Sequence, residues 1–165
     1  MPERSDIQTI PISFTLNGKL EKIEVEPRDL LLDVVRNRFG LTGAKRSCDM
    51  QVCGACTVLI DGGPVSACTT LAFEVRGQSV LTIEGLAENG ILHPLQQAFI
   101  RYGGFQCGFC TPGMILASKA LLDENPDPSE QEVKHFMRGN ICRCTGYKKI
   151  MDSIKAAAKN MRASG

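Results

Sequence analysis

Residues 48–56 read Cys48-Asp49-Met50-Gln51-Val52-Cys53-Gly54-Ala55-Cys56, and Cys68 follows after eleven further residues. The spacing x4, x2 and then a distant fourth cysteine is that of a plant-type [2Fe–2S] site. Such a site needs four soft thiolates converging on a small inorganic core, with backbone N–H groups free to bond its sulfurs. Gly54 and Ala55 let the backbone approach closely. A four-cysteine zinc site is the alternative, because Cys53-x2-Cys56 alone fits one. The x4 offset and the β-rich flanks favour iron–sulfur.

Those flanks extend in both directions. Ile10, Ile12, Phe14 and Leu16 alternate with smaller or polar residues, which predicts a strand over 10–16. Asn17-Gly18 is a type I′ hairpin signal, and Lys19 to Glu26 reads as the returning strand, stopped by Pro27. Asp29 is placed to cap a helix in which Leu30, Leu31, Val34, Val35 and Phe39 recur, ended by Gly40. After the cysteine loop, Thr57 to Ile60 and Pro64 to Thr69 read as strands around an Asp61-Gly62-Gly63 turn. Ser79 to Thr82 is a last strand.

Beyond about residue 82 the pattern turns helical. Helices are expected at 83–87, 95–102, 112–123 (Pro112 in its first turn), 129–138 (opened by the Ser129-x-x-Glu132 capping box) and 147–159. This half reads as a small helical bundle. It carries a second set of four cysteines, Cys107-x2-Cys110 and Cys142-x-Cys144, each pair just ahead of a helix. A [2Fe–2S] core with four thiolates carries about −2. Helix N-termini, with about +0.5 charge each and free N–H donors, suit such an anion. Zinc is again the alternative, although Cys-x-Cys is an unusual zinc spacing.

Composition narrows the rest. The 165 residues suit one domain or two small ones. Lys plus Arg (19) nearly balances Asp plus Glu (18), so no basic excess exists to hold nucleic acid. Apolar residues at 43% describe a globular chain, and no apolar run is long enough for a membrane span. The N-terminus shows no apolar signal core, so the chain is expected in the cytoplasm, where eight cysteines are metal ligands rather than disulfides. His93, before Pro94, and His135, on a polar helix side, read as capping or solvated residues. Neither a Rossmann glycine fingerprint nor a Walker-type loop is present.

Three ordered motifs carry a family resemblance. They are Cys48-Asp49-x3-Cys53-Gly54-Ala55-Cys56-Thr57-Val58, Gln106-Cys107-Gly108-Phe109-Cys110-Thr111-Pro112-Gly113-Met114, and Gly139-Asn140-Ile141-Cys142-Arg143-Cys144-Thr145-Gly146-Tyr147. Together they resemble the two-cluster iron–sulfur subunit of the xanthine oxidase family of molybdenum hydroxylases. The separate-subunit length is similar to the small chain of aerobic carbon monoxide dehydrogenase and related bacterial enzymes.

The resemblance implies an α+β chain. Residues 1–9 would be a flexible tail, 10–82 a β-grasp ferredoxin-like [2Fe-2S] domain, and 83–165 a four-helix-bundle [2Fe-2S] domain. Cys48, Cys53, Cys56 and Cys68 would ligate the first cluster, and Cys107, Cys110, Cys142 and Cys144 the second. Gln106 and Cys144 would contact molybdopterin on a large partner subunit, and a medium subunit would hold FAD. The complex would be a heterotrimer or its dimer. The chain departs from many members where they place glycine: Ser47, Met50, Gln51 and Val52 stand there instead, so the turns of the first loop are the region to inspect.

The implied role is electron transfer, single electrons passing from molybdenum through two clusters to FAD. A free-standing two-cluster ferredoxin or redox sensor is the alternative, and a structural zinc module a third. Substrate selection would belong to another chain, with carbon monoxide, aldehydes, purines, N-heterocycles and aromatic thioesters all compatible.

Overall fold

A computed structural model describes residues 8–164. The tail expected at 1–9 therefore lies largely outside the described residues. Five strands form one mixed sheet: β1 (Ile10–Leu16), β2 (Lys19–Val25), β3 (Thr57–Ile60), β4 (Gly63–Ser66) and β5 (Ser79–Leu81). Their spatial order is β2-β1-β5-β3-β4, with β1 and β5 parallel and the other pairs antiparallel. This is the β-grasp arrangement. Alternation along β1 buries Ile12, Phe14 and Leu16 on one face. Asn17 and Gly18 both take positive φ, as a type I′ turn requires, and set the β1–β2 register with Leu16 opposite Lys19.

The helix after β2 differs from expectation. Only Leu31–Asp33 (α1) is α-helical, and Val34–Arg38 continues as a π-helical turn. Asp29 does not cap it. Its Oδ2 accepts instead from the Glu26 amide (2.9 Å) and from Arg38 (2.7 Å), tying the entry of the helix to its end. Leu31, Leu32, Val34 and Val35 still reach the sheet, and Phe39 meets Phe14 edge-on at 6.1 Å. β4 is shorter than expected. Residues 67–70 turn away, and their backbone receives α1: the Leu32 amide donates to the Ala67 carbonyl and the Leu31 amide to that of Thr70.

The helical half consists of α2 (Pro94–Tyr102), α3 (Thr111–Glu124), α4 (Glu130–Phe136) and α5 (Lys148–Ser164). The expected helix at 83–87 is a single 3-10 turn, Ile83–Gly85, and another 3-10 turn, Met137–Gly139, follows α4. His93 caps α2: its Nδ1 accepts from the Leu95 amide, while Gln96 returns a bond to the His93 amide. α3 is buried almost all round because it lies between two cores. Met114, Ile115 and Leu121 join Phe99, Ile150 and Ile154 in the helical core, whereas Leu116 and Ala120 pack on Leu59 of the sheet. A helix apolar over most of its circumference is the expected consequence, with Lys119 and Asp123 paired on its remaining polar strip.

The two halves are also bonded to each other at residue 82. Asn17 accepts from the Thr82 amide (2.8 Å) and donates to its hydroxyl (3.0 Å). Among the described residues no helix is long and apolar enough to cross a membrane.

Candidate functional site

The loop of residues 48–56 wraps its own first cysteine. Asp49 and Gln51 both take left-handed backbone angles, φ +53° and +60°, at positions that are not glycine. With two left-handed residues in alternation, the amides of Met50, Val52 and Cys53 all donate to the Cys48 sulfur, pulling its thiol down to about 6. This is the region where the sequence departs from glycine, and the turns form without it. Arg46 anchors the loop from outside through ion pairs to Asp49 (2.8 Å) and to Asp33 of α1 (2.5 Å).

The rest of the first set lies deeper. Cys56 and Cys68 are buried, and Cys48 and Cys53 are half-buried. Burial, with the Cys68 and Cys53 sulfurs nearby, pushes the Cys56 thiol up to about 11. One low thiol and one high thiol in the same set mean that metal loading must displace protons. The exposed rim of this set carries Met50 and Val52, 66% and 52% exposed.

The second set is brought together at one place. Cys107, Cys110, Cys142 and Cys144 line one cavity of about 220 Å³ together with Phe109, Ile141 and Arg143, and Ser47, Cys53 and Ala55 of the first loop complete its lining. Cys107 and Cys144 are exposed with sulfurs 3.6 Å apart, and this mutual hydrogen bond raises the Cys144 thiol. Burial, then the neighbouring Cys142, pushes Cys110 up to about 12. At Cys142 burial acts upward, but the Thr145 hydroxyl (3.1 Å) and the amides of Thr145 and Cys144 outweigh it, leaving the thiol lowered.

Of the two pairs expected just ahead of a helix, only the first leads directly into one. Cys110 immediately precedes α3, with Pro112 in the first turn. Cys144 is separated from α5 by Thr145, Gly146 and Tyr147, the last two left-handed, so Tyr147 lies outside the helix. Its hydroxyl folds back to accept from the Cys142 amide. Gln106, next to Cys107 in sequence, is exposed, as are Phe105 and Phe109 on either side of it.

The residues fit a [2Fe–2S] core at both places. Each set supplies four sulfurs. The Thr111 hydroxyl, one residue after Cys110, is buried without a protein partner.

Comparison with known proteins agrees with this geometry. A family model for a 2Fe-2S iron-sulfur cluster binding domain matches residues 14–93, and one for a [2Fe-2S] binding domain matches residues 82–155. The nicotinate dehydrogenase small FeS subunit of Eubacterium barkeri is 49% identical over 150 residues, covering 91% of this chain and 96% of that one. The chain belongs to the small iron–sulfur subunits of the xanthine oxidase family of molybdenum hydroxylases. Among solved structures, quinoline 2-oxidoreductase from Pseudomonas putida 86 matches with TM-score 0.90 and 48% identity, over 94% of this chain and 98% of that one. Aldehyde oxidoreductase from Desulfovibrio gigas matches with TM-score 0.90 and 43% identity over 94% of this chain but 18% of that one. The same unit thus occurs both as a separate subunit and as part of a longer chain.

Membership of these small subunits carries an electron-transfer role, with two [2Fe–2S]-binding domains and partner subunits. Sequence spacing did not single out four residues that shape the sites: Arg46, Thr111, Gly113 and Asn140. For Gly113 a signal existed, since glycine in the first turn of a helix is a poor helix former and marks a close approach. Thr111 and Asn140 stand inside the quoted motifs, which assigned neither of them a role.

Proposed function

We propose that this chain passes single electrons from a molybdopterin centre on a large partner subunit, through two [2Fe–2S] clusters, to FAD on a medium subunit. Cys48, Cys53, Cys56 and Cys68 hold one cluster, and Cys107, Cys110, Cys142 and Cys144 the other. Residues 10–82 and 83–165 are the corresponding domains. When bound, each cluster supplies one-electron chemistry, so a two-electron oxidation on a partner can be divided into single steps.

The observation that carries this reading is the pair of four-sulfur sets, each with its own exposed rim and joined by a direct backbone hydrogen bond. The Ile141 amide donates to the Cys53 carbonyl at 2.9 Å, one residue ahead of Cys142. Exposed Cys107, Cys144 and Gln106 let a partner's cofactor approach the second set, with Gln106 offering its amide to the pterin. Exposed Met50 and Val52 offer the first set an apolar contact for the flavin subunit. The chain's own residues shield the sulfurs, orient amides and hydroxyls at them, and exclude water from Cys56, Cys68 and Cys142.

The relatives named above act, by their names, on nicotinate, quinoline and aldehydes. Those three serve as test substrates for the purified complex under anaerobic conditions. With a substrate that reduces the wild-type complex, flavin bleaching should follow substrate addition. In a Cys107→Ser complex the flavin should stay oxidised while molybdenum is reduced. Flavin bleaching at the wild-type rate in that variant would refute the relay.

A further inference from the structure

The carbonyl of Gly54 accepts from three donors: the Thr57 amide (3.2 Å), the Thr57 hydroxyl (2.8 Å) and the Asn140 side-chain amide (3.2 Å). A carbonyl has two lone pairs, so three donors crowd it and fix its direction. The Asn140 amide also reaches the Thr57 hydroxyl at 3.3 Å. Both Asn140 and Thr57 are buried. Gly54 and Asn140 are 86 residues apart in sequence, yet each is one residue from the Cys53–Ile141 backbone bond.

The surrounding glycines are shaped to this contact. A Cβ on Gly54, which has φ +67°, would overlap the Asn140 amide and the Gly139 carbonyl. A Cβ on Gly113, in the first turn of α3, would overlap the Gly54 carbonyl. The loop of the first set, the helix following Cys110 and the segment preceding Cys142 therefore meet at one atom, the Gly54 oxygen.

We infer that Asn140 is a positioning residue for electron exchange between the two cysteine sets, clamping the Gly54 carbonyl so that Cys53 is held against Ile141, next to Cys142. The inference rests on the two-cluster reading above. In the exchange one electron leaves one reduced centre and enters the other, oxidised one, with no bond made or broken and no proton moved. Asn140 touches neither sulfur set through its side-chain contacts. It acts by fixing the distance and the hydrogen-bonded connection between them.

The test uses the full complex with both clusters reduced by dithionite, read by low-temperature electron spin resonance. Two reduced [2Fe–2S] centres split each other's signals, and that splitting falls steeply with separation. Wild type should show two centres with mutual splitting. Asn140→Ala and the isosteric Thr57→Val should keep the iron content of wild type yet lose splitting several-fold in the first and in part in the second. Thr57→Ser, which keeps the hydroxyl, should restore the wild-type spectrum. A merely structural role for Asn140 would lower the melting temperature and leave the splitting alone. Fully loaded Asn140→Ala and Thr57→Val with wild-type splitting would overturn the inference. If Asn140→Ala fails to load, Thr57→Val decides alone by the same criterion. A wild-type complex with a single centre would overturn the two-cluster reading itself, and the inference with it.

Discussion

The hydroxyl of Tyr147 accepts a hydrogen bond from the Cys142 amide at 3.0 Å, closing residues 142–147 into a loop at the buried Cys142. Tyr147 can do so because it has left the helix: its φ is +67°, and α5 begins at Lys148. Removing the hydroxyl leaves a part-buried amide without its partner, which costs about 1 kcal/mol. Tyr147→Phe should therefore lower the melting temperature of the loaded chain by roughly 2–4 °C per kcal/mol for a chain of this size. The loss of visible absorbance on heating measures it. An unshifted midpoint would show that the bond adds nothing.

Gln51 gives a second, independent prediction. Its φ of +60° is tolerable for an unbranched side chain and severe for a β-branched one. Gln51→Val should destabilise the loaded chain by about 1–2 kcal/mol. Gln51→Gly should be tolerated, since glycine takes this angle freely and the bond lost, to the Thr69 hydroxyl at 3.4 Å, is long and exposed. Denaturant titration of both variants checks this. Equal stability of Val and Gly at position 51 would mean that the loop adopts another backbone.

His93 introduces a pH dependence. Burial, then the nearby Lys119, lowers its pKa in the folded chain below the ordinary 6.5. Its Nδ1 must also be unprotonated to accept from the Leu95 amide. Below 6.5 the unfolded chain binds a proton that the folded chain resists, so this contribution to stability is complete above 6.5. It is lost as pH falls through the lower, folded value. His93→Asn, which keeps a cap acceptor without titrating, should flatten stability against pH in that acidic window. Chemical denaturation of both proteins across that window measures the difference, and parallel curves would contradict the assignment.

How legible this was in the sequence differs from element to element. The β1–β2 hairpin could be read because its cause is local: alternation at Ile12, Phe14 and Leu16 and a turn at Asn17-Gly18. The two groups of four cysteines could be picked out because their spacing is itself a sequence property. The π-helical turn at Val34–Arg38 could not, since apolar recurrence at Leu31, Val34 and Val35 marks a buried face without fixing the hydrogen-bond ladder. Asp29 looked like a cap because its competing partner, Arg38, is brought close only by the fold. Tyr147 looked helical because its spacing to Ile150 and Met151 is helical. Asn140 stands in the third motif, but its contact is hidden until Gly54, 86 positions away, is placed beside it. Local chemistry was visible; partnerships made by tertiary contact were not.

The central claim is that the cysteines form two separate four-ligand sites. Counting iron and recording the spin-resonance spectrum of dithionite-reduced Cys107→Ser complex tests it most directly. The account predicts that wild type holds about four irons per chain and two distinct [2Fe–2S] signals, and that the variant loses the one belonging to Cys110, Cys142 and Cys144 while the other stays. Two intact signals in the variant, with undiminished iron, would contradict it.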